Sequence, residues 1–321
     1  MYFLAGKLVF TIVAVILVLA TPITILGSQS NFVTAQTPPA QEQQQQQSQK
    51  ALTLGTISQN TNNSRFYQPL ANYIVSKLFN GKVGKVVVAD SANKMIDLLK
   101  NQSVDLYIDS SLISAFVDNK SGAIPFLRGW NSGFPQDHSD YITRKDSMVV
   151  YQLPDLASKS IGFTDAHSNF GYLLPKSYLQ QLGFRFTPPS STADLFYIFT
   201  GSDNKTVTKI LNGSVSGGNP DVGAISSIYY NHLPASIKSQ LKVVNSTIDV
   251  PIDIVSYRSG LPASLVGGVR DILLNMDKDP SGVKILSNLN NETKFDAIRN
   301  QQALFKLLTK MSASALNGTT Y

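Results

Sequence analysis

From Ala51 onward the apolar positions follow two alternating rhythms. Short runs rich in β-branched residues, ALTLGTIS (51–58), KVVVAD (85–90) and VDLYID (104–109), predict strands. The segments between them, RFYQPLANYIVSKLF (65–79) and SANKMIDLLKNQ (91–102), space their apolar residues three and four apart and predict helices. Ser91 is the expected cap of the second helix, and Pro69 is tolerable only in the first turn of the first. A further helix is expected from Ser110. Beyond a Gly/Pro-rich passage from Gly122 to Pro135, the segment 140–151 reads as extended. The stretch IGFTDAHSNFGYLLPKSYLQQLG (161–183) reads as a strand, a turn and a helix that begins at Ser168 and Asn169 and stops at Gly183. Two helical segments are expected between Thr192 and Asn212, then strands at 221–227, 241–247 and 251–260. Helices are expected over 262–276, Ser281–Leu289 and Asn300–Leu316. Such alternation predicts an α/β chain in two lobes, each a mainly parallel sheet flanked by helices. The lobe boundaries that follow are 51–143 plus 247–321 for the first and 144–246 for the second.

Small polar residues gather where strands end. Four places show it: Ser58, Gln59 and Asn60; Ser110 and Ser111; Ser168 and Asn169; Ser226 and Ser227. In an open parallel sheet, ligands sit beyond the carboxyl ends of the strands. A strand that runs into a helix start leaves backbone N–H groups unpaired, with the positive end of the helix dipole behind them. Each pair therefore reads either as a plain helix cap or as part of a polar cleft for a small anionic solute.

Composition narrows the choice. With 321 residues and 43% hydrophobic content, the chain can bury two cores. The excess of 27 Lys and Arg over 21 Asp and Glu is spread thinly, without the basic run that a nucleic-acid surface needs. No cysteine is present, which excludes disulfides, zinc-thiolate sites and a thiol nucleophile. The three histidines, His138, His167 and His232, lack the spacings of a zinc site, and neither a GxSxG elbow nor a phosphate-binding GxxxxGK[ST] loop occurs. Nothing requires an enzyme, a metal or a cofactor.

The N-terminal segment points out of the cytoplasm. Lys7 precedes an uncharged run from Leu8 to Leu26, so residues 1–35 read either as a cleaved signal peptide with small residues at Val33 and Ala35, or as an uncleaved membrane anchor. Residues 36–50, QTPPAQEQQQQQSQK, form a tether with nothing to pack. Asn-X-Ser/Thr sequons at Asn62, Asn101, Asn119, Asn204, Asn212, Asn245, Asn291 and Asn317 agree with export and are candidate glycosylation sites.

Several segments, in order, resemble the phosphonate, phosphite and phosphate solute-binding proteins of ABC importers. They are LTLGTISQ (52–59) with YQPLANYIVSKL (67–78), QSVDLYIDSSL (102–112), YITRKDS (141–147), DVGAISS (221–227) and the Asp-Pro-x-Gly turn within 261–286. The resemblance implies a periplasmic-binding-protein-like fold of type II, a hinge of two crossing strands, a small oxyanion ligand and an ABC permease as partner. In that family the turn after the central strand reads Asp-Pro-x-Ser-Thr-Ser-Gly-Tyr and holds phosphoryl oxygens. Here it reads Asp165, Ala166, His167, Ser168, Asn169, Phe170, Gly171, Tyr172: Ser168, Gly171 and Tyr172 match, while Asn169 and Phe170 replace two hydroxyls. Asp109, ahead of Ser110 and Ser111, reads in one of two ways: as a carboxylate that repels a bare oxyanion unless the ligand also carries a cation, as an aminoalkylphosphonate does, or as a structural residue facing solvent or capping the next helix. The implied ligand set is Ser58, Gln59, Asn60, Asp109, Ser110, Ser111, His167, Ser168, Asn169, Phe170, Ser226 and Ser227. Capture would proceed by rotation of the lobes about crossing strands near Ile142–Arg144 and Val243–Val250. The alternatives are the same fold binding a different small ligand, and a surface sensor or interaction module without a transport role.

Overall fold

The computed structural model describes residues 52–148, 150, 152–186, 195–213, 218–289, 291–298 and 301–316. The expected leader or anchor, the tether and Asn317 lie outside the described residues. The first sheet is built from β1 (Thr53–Ile57), β2 (Lys85–Ala89), β3 (Leu106–Ser110), β4 (Ile124–Asn131), β12 (Asp253–Tyr257) and β13 (Glu292–Ala297), in the order β13-β4-β12-β3-β1-β2. A second sheet contains β6 (Ser139–Arg144), β7 (Ser160–Phe163), β8 (Phe196–Phe199), β9 (Val222–Ser226) and β10 (Leu241–Ser246), in the order β10-β6-β9-β7-β8. The chain passes between them twice, and the two passages pair as a short antiparallel ribbon of β5 (Gln136–Asp137) and β11 (Val250–Pro251).

Both sheets are mixed, with fewer parallel pairs than the strand–helix alternation predicts. In the first, β1 runs parallel to β2 and β3, whereas β12, β4 and β13 are antiparallel to their neighbours. In the second, β7 is parallel to β8 and β9, while β6 is antiparallel to β9 and β10. Ile142 pairs with both β9 and β10, and Thr143 and Arg144 with β10, so residues 142–144 lie within the second sheet; the first crossing is made earlier, at the β5/β11 ribbon, and the second includes Val250 as expected. Three of the longer strands escaped the sequence reading, as did the two-residue β5. Phe196–Phe199 falls where a helix was expected, but a run of four aromatic and β-branched residues fits a pleated surface beside β7 better than a helix face. Ile124–Asn131 was masked by its Gly and Pro, and Glu292–Ala297 by charges along an edge strand.

Helices α1 (Ser64–Phe79), α2 (Ala92–Lys100) and α3 (Ser111–Ser121) follow β1, β2 and β3. Ser91 caps α2 by accepting from Lys94 N–H. Pro69 sits six residues into α1 rather than in its first turn; it and Arg65 are exposed, so the carbonyl that loses its partner faces water. In the second lobe α4 (Leu174–Gln181), α5 (Asp203–Asn212), α6 (Ser227–His232) and α7 (Ala235–Lys238) flank the sheet. The chain returns through α8 (Ala263–Leu274) and α9 (Pro280–Asn288), and closes with α10 (Gln301–Leu316). One core joins Leu54, Leu70, Ile74, Val255 and Leu273 beneath α1, α8 and α9. Another runs from Met95 and Tyr107 through Tyr141 and Phe163 to Leu308 and Met311, so α10 packs on helices of both lobes. Buried Lys176 fixes that contact: its ammonium donates to Tyr172 Oη at 3.0 Å and to the Ala315 carbonyl at 2.9 Å.

Candidate functional site

Asp109 stands near the end of β3, opposite Ile57 of β1. Its Oδ2 accepts from Ile57 N–H at 3.1 Å and its Oδ1 from Ser110 N–H at 2.8 Å. Burial pushes its carboxyl up to about 7, against those two donors. Ser110 Oγ, next along the strand, is buried with no hydrogen-bond partner. Ser111 opens α3 and donates its N–H to the Ile252 carbonyl.

The turn after β7 comes to meet these residues. Ser168 Oγ accepts from Gly171 N–H at 2.9 Å, as an N-cap does, and residues 169–173 form a wide π-type turn before α4 begins. The regular helix α4 begins at Leu174, after that turn rather than directly at Ser168 and Asn169, with Pro175 in its first turn, and Gly183, at φ +93°, stops it as expected. Gly171 is obligatory, because a Cβ there would fall 2.0 Å from Thr164 Oγ1. Asn169 is buried and reaches across the lobes, Nδ2 donating to Ser111 Oγ at 3.2 Å, while its Oδ1 has no partner. Ser139 Oγ donates to the Phe170 carbonyl at 2.6 Å. Two of the four polar strand ends, 110–111 and 168–169, are thus brought together, each with one buried oxygen unanswered.

The other two are differently placed. Ser58 lies on the same sheet edge as Asp109, but its Oγ accepts from Asn60 N–H and Asn63 Nδ2; Gln59 Nε2 donates to the Asp90 carbonyl, and Asn60 Oδ1 accepts from Asn62 N–H. Ser226 and Ser227 aim both hydroxyls at Asp137 on the crossing ribbon, whose carboxylate also accepts from Ile228 N–H at 3.2 Å and His138 N–H at 2.8 Å. A carboxylate of the chain itself fills that hydroxyl-rich helix start. His167 is exposed, its N–H donating to Asp165 Oδ1. No motif in the sequence singles out Asp137, since its partners lie about ninety residues away.

This arrangement fixes a testable cost. Asp137→Ala leaves two hydroxyls and two backbone N–H groups without their acceptor, and is expected to destabilise the fold by about 2–3 kcal/mol. Thermal unfolding measures it; a loss below about 0.5 kcal/mol would mean that water takes the carboxylate's place.

Further carboxylates line the same edge of the first sheet. Asp253 starts β12 opposite Ser110 and Gly129, and Glu292 starts β13 opposite Asn131. The Glu292 carboxyl lies over Gly129, where a Cβ would fall 2.7 Å from Oε2. Burial, then the neighbouring Asp253 charge, drives Glu292 far above the usual range, and burial raises Asp253 as well. Tyr67 on α1 is pushed up by burial and then by Asp253 and Asp109. It forms part of a cavity of about 520 Å³ with Asn63 and Asn291. Sequence reasoning missed Glu292 and Asp253 because only the antiparallel return of β12 beside β3, and of β13 beside β4, brings them to this edge. Among the described residues no group of three or more acidic or imidazole side chains is arranged to hold a metal.

Two α/β lobes joined by a crossing ribbon, with strand ends and helix starts turned to one another, define a two-lobe solute-binding fold of type II. The match to a family model settles which one: residues 54–303 fit the phosphonate periplasmic substrate-binding protein of ABC transporters, and the chain belongs to that family. Membership makes it a solute-binding component of transport, working outside the cytoplasm with a small ligand and an ABC permease. Known structures agree on the fold. XAC2383 from Xanthomonas citri, solved with chloride and with ATP, superposes with TM-score 0.69 at 22% identity; in the chloride form 84% of this chain covers 99% of that one. PhnD1 from Prochlorococcus marinus, in complex with methylphosphonate, gives TM-score 0.56 at 18% identity, over 84% of this chain and 98% of that one. A binding component of an ABC phosphonate transporter from Pseudomonas aeruginosa gives 0.55 at 19%, over 84% and 88%. Among the described residues no helix is long and apolar enough to cross a membrane.

Proposed function

We propose that this protein captures a phosphonate-type oxyanion that also carries an ammonium group, between lobes 51–143 plus 247–321 and 144–246, and presents it to an ABC permease. The observation that carries the reading is the meeting of Ser110, Ser111, Ser168 and Asn169 beside the Asp109 carboxylate. The N–H groups and hydroxyls at the Ser168 turn suit phosphoryl oxygens, because charge-assisted donation is strong in a dry site. Asp109, when ionised, disfavours a bare dianion and favours a ligand bearing its own cation. Ligand touching both lobes would favour their closure about the 132–138 and 247–252 passages.

A thermal-shift screen with phosphate, phosphite, methylphosphonate, aminoethylphosphonate, sulfate and amino acids tests this, since a ligand of the folded state raises the unfolding temperature. Aminoethylphosphonate should give the largest rise. Ser168→Ala should weaken it about tenfold, the loss of one hydrogen bond to a charged group; unchanged affinity would remove Ser168 from the site. The Asn169 to Ser111 bond favours a second reading, a different small ligand on the same fold, because a side-chain amide stands where the family has a hydroxyl. A response to an amino acid with none to any phosphonate would select it, and silence from every compound would favour a sensor or interaction module. The seven sequon asparagines among the described residues are all exposed, which leaves them open to glycosylation in an exported chain.

A further inference from the structure

A further buried carboxylate, Asp118, lies on α3, away from the Ser168 region. Asp118 is two turns beyond Ser111, about 10 Å down the helix axis at 1.5 Å per residue, on the side away from the strand ends. It is 5% exposed. Its Oδ2 accepts from Ser256 Oγ at 2.6 Å, whereas its Oδ1 is buried with no partner. Asp118 lines a cavity of about 470 Å³ between the end of α3, the start of β4 and α10, with Ala115, Ala123, Pro125 and Phe305 as its apolar wall and Lys306 at the rim. Burial pushes the Asp118 carboxyl up to about 7, so no cation of the chain holds it ionised. Lys120, the nearest cation along α3, instead places its ammonium over the Phe116 ring.

We propose that this cavity is a binding site, separate from the Ser168 region, for a small organic ammonium with a compact apolar body. An ammonium supplies the donor that Asp118 Oδ1 lacks, in a charge-assisted bond, and the Phe305 ring adds a face that attracts cations. One carboxylate, with Asn119, Gln302 and Thr309 as the other oxygen-bearing side chains and Lys306 at the rim, is too poor a ligand set for a metal ion. The volume is in the range of small-molecule pockets, and the aliphatic wall suits a branched alkyl group. Exposed Lys306 can keep its head in water while its stem borders the opening.

The test uses the exported chain and two isosteric probes, 3-methylbutylamine and 3-methylbutanol, titrated calorimetrically above the pH at which Asp118 loses its proton. The amine should saturate one site in the millimolar range or tighter, and the alcohol should bind at least about tenfold more weakly. Asp118→Asn keeps the shape and the Ser256 contact but removes the charge, and should cost the amine a similar factor. Thr309→Phe, which fills the cavity from α10 and leaves Asp118 intact, should abolish binding. Unaltered unfolding temperatures would show that both variants remain folded. Failure of the amine to saturate, equal binding of the alcohol, or undiminished affinity in either variant would overturn the proposal. Neither substitution touches the Ser168 turn, so this outcome and that of the oxyanion screen are independent.

Discussion

Arg258→Met should lower the stability of the fold by about 3–5 kcal/mol, the cost of stranding one member of a buried ion pair. Arg258 Nε donates to Asp105 Oδ1 at 2.8 Å, with the two side chains only 10% and 3% exposed. Asp105 is also tied into the sheet, its Oδ2 accepting from Thr53 N–H at 3.0 Å. The pair therefore clamps β1, the start of β3 and the end of β12 at the edge opposite the candidate site. Met fills much of the space but leaves the carboxylate in a dry place with a single backbone donor. Urea unfolding gives the loss from the shift in midpoint. The double variant Asp105→Asn, Arg258→Met should recover part of it, because the orphaned charge is gone. If the double variant is as unstable as the sum of the singles, the effect is lost packing rather than an unpaired charge.

Glu292→Gln should remove much of the decline in stability between mildly acidic and alkaline pH. Burial and Asp253 hold the Glu292 carboxyl protonated in the folded chain well above the pH at which an unfolded glutamate ionises. The folded state thus binds the extra proton. Stability from this group is full below the ordinary glutamate range and falls as pH rises, by up to about 1.4 kcal/mol per pH unit, until the raised native value is passed. Glutamine cannot ionise, and its amide can donate to Asp253. The variant should match the wild type at mildly acidic pH and exceed it at mildly alkaline pH in urea midpoint. Parallel curves across that range would show that Glu292 ionises freely in the fold. Asp109, Asp118, Asp140 and Asp203 are also raised by burial, so a shallower decline in the same direction should persist.

Much of this molecule is legible in its sequence. The runs KVVVAD and VDLYID and the helix between them carry their own periodicity, and Ser91 marks a cap through bonds three residues long. Ser168 was equally readable, because its bond to Gly171 N–H is local. Gly183 stops its helix through its own backbone angle. Where the reading failed, distant partners had overridden local preference. Phe196–Phe199 is a strand because β7 offers it an edge, and Glu292–Ala297 because β4 does. The first crossing lies ahead of Ile142 because β6 is paired into the second sheet, whereas the second reaches Val250 as expected.

The chain by itself determined the order of strands and helices, the family to which that order belongs and the small polar residues at strand ends, all written in short-range spacing. Tertiary structure alone decided how those strand ends are used. It joined Ser111 to Asn169 across 58 positions, gave the Ser226 and Ser227 hydroxyls to Asp137, and set Glu292 beside Asp253. The physical reason is that a buried donor or acceptor must find whichever partner the packing brings within about 3 Å, and no local pattern encodes that meeting.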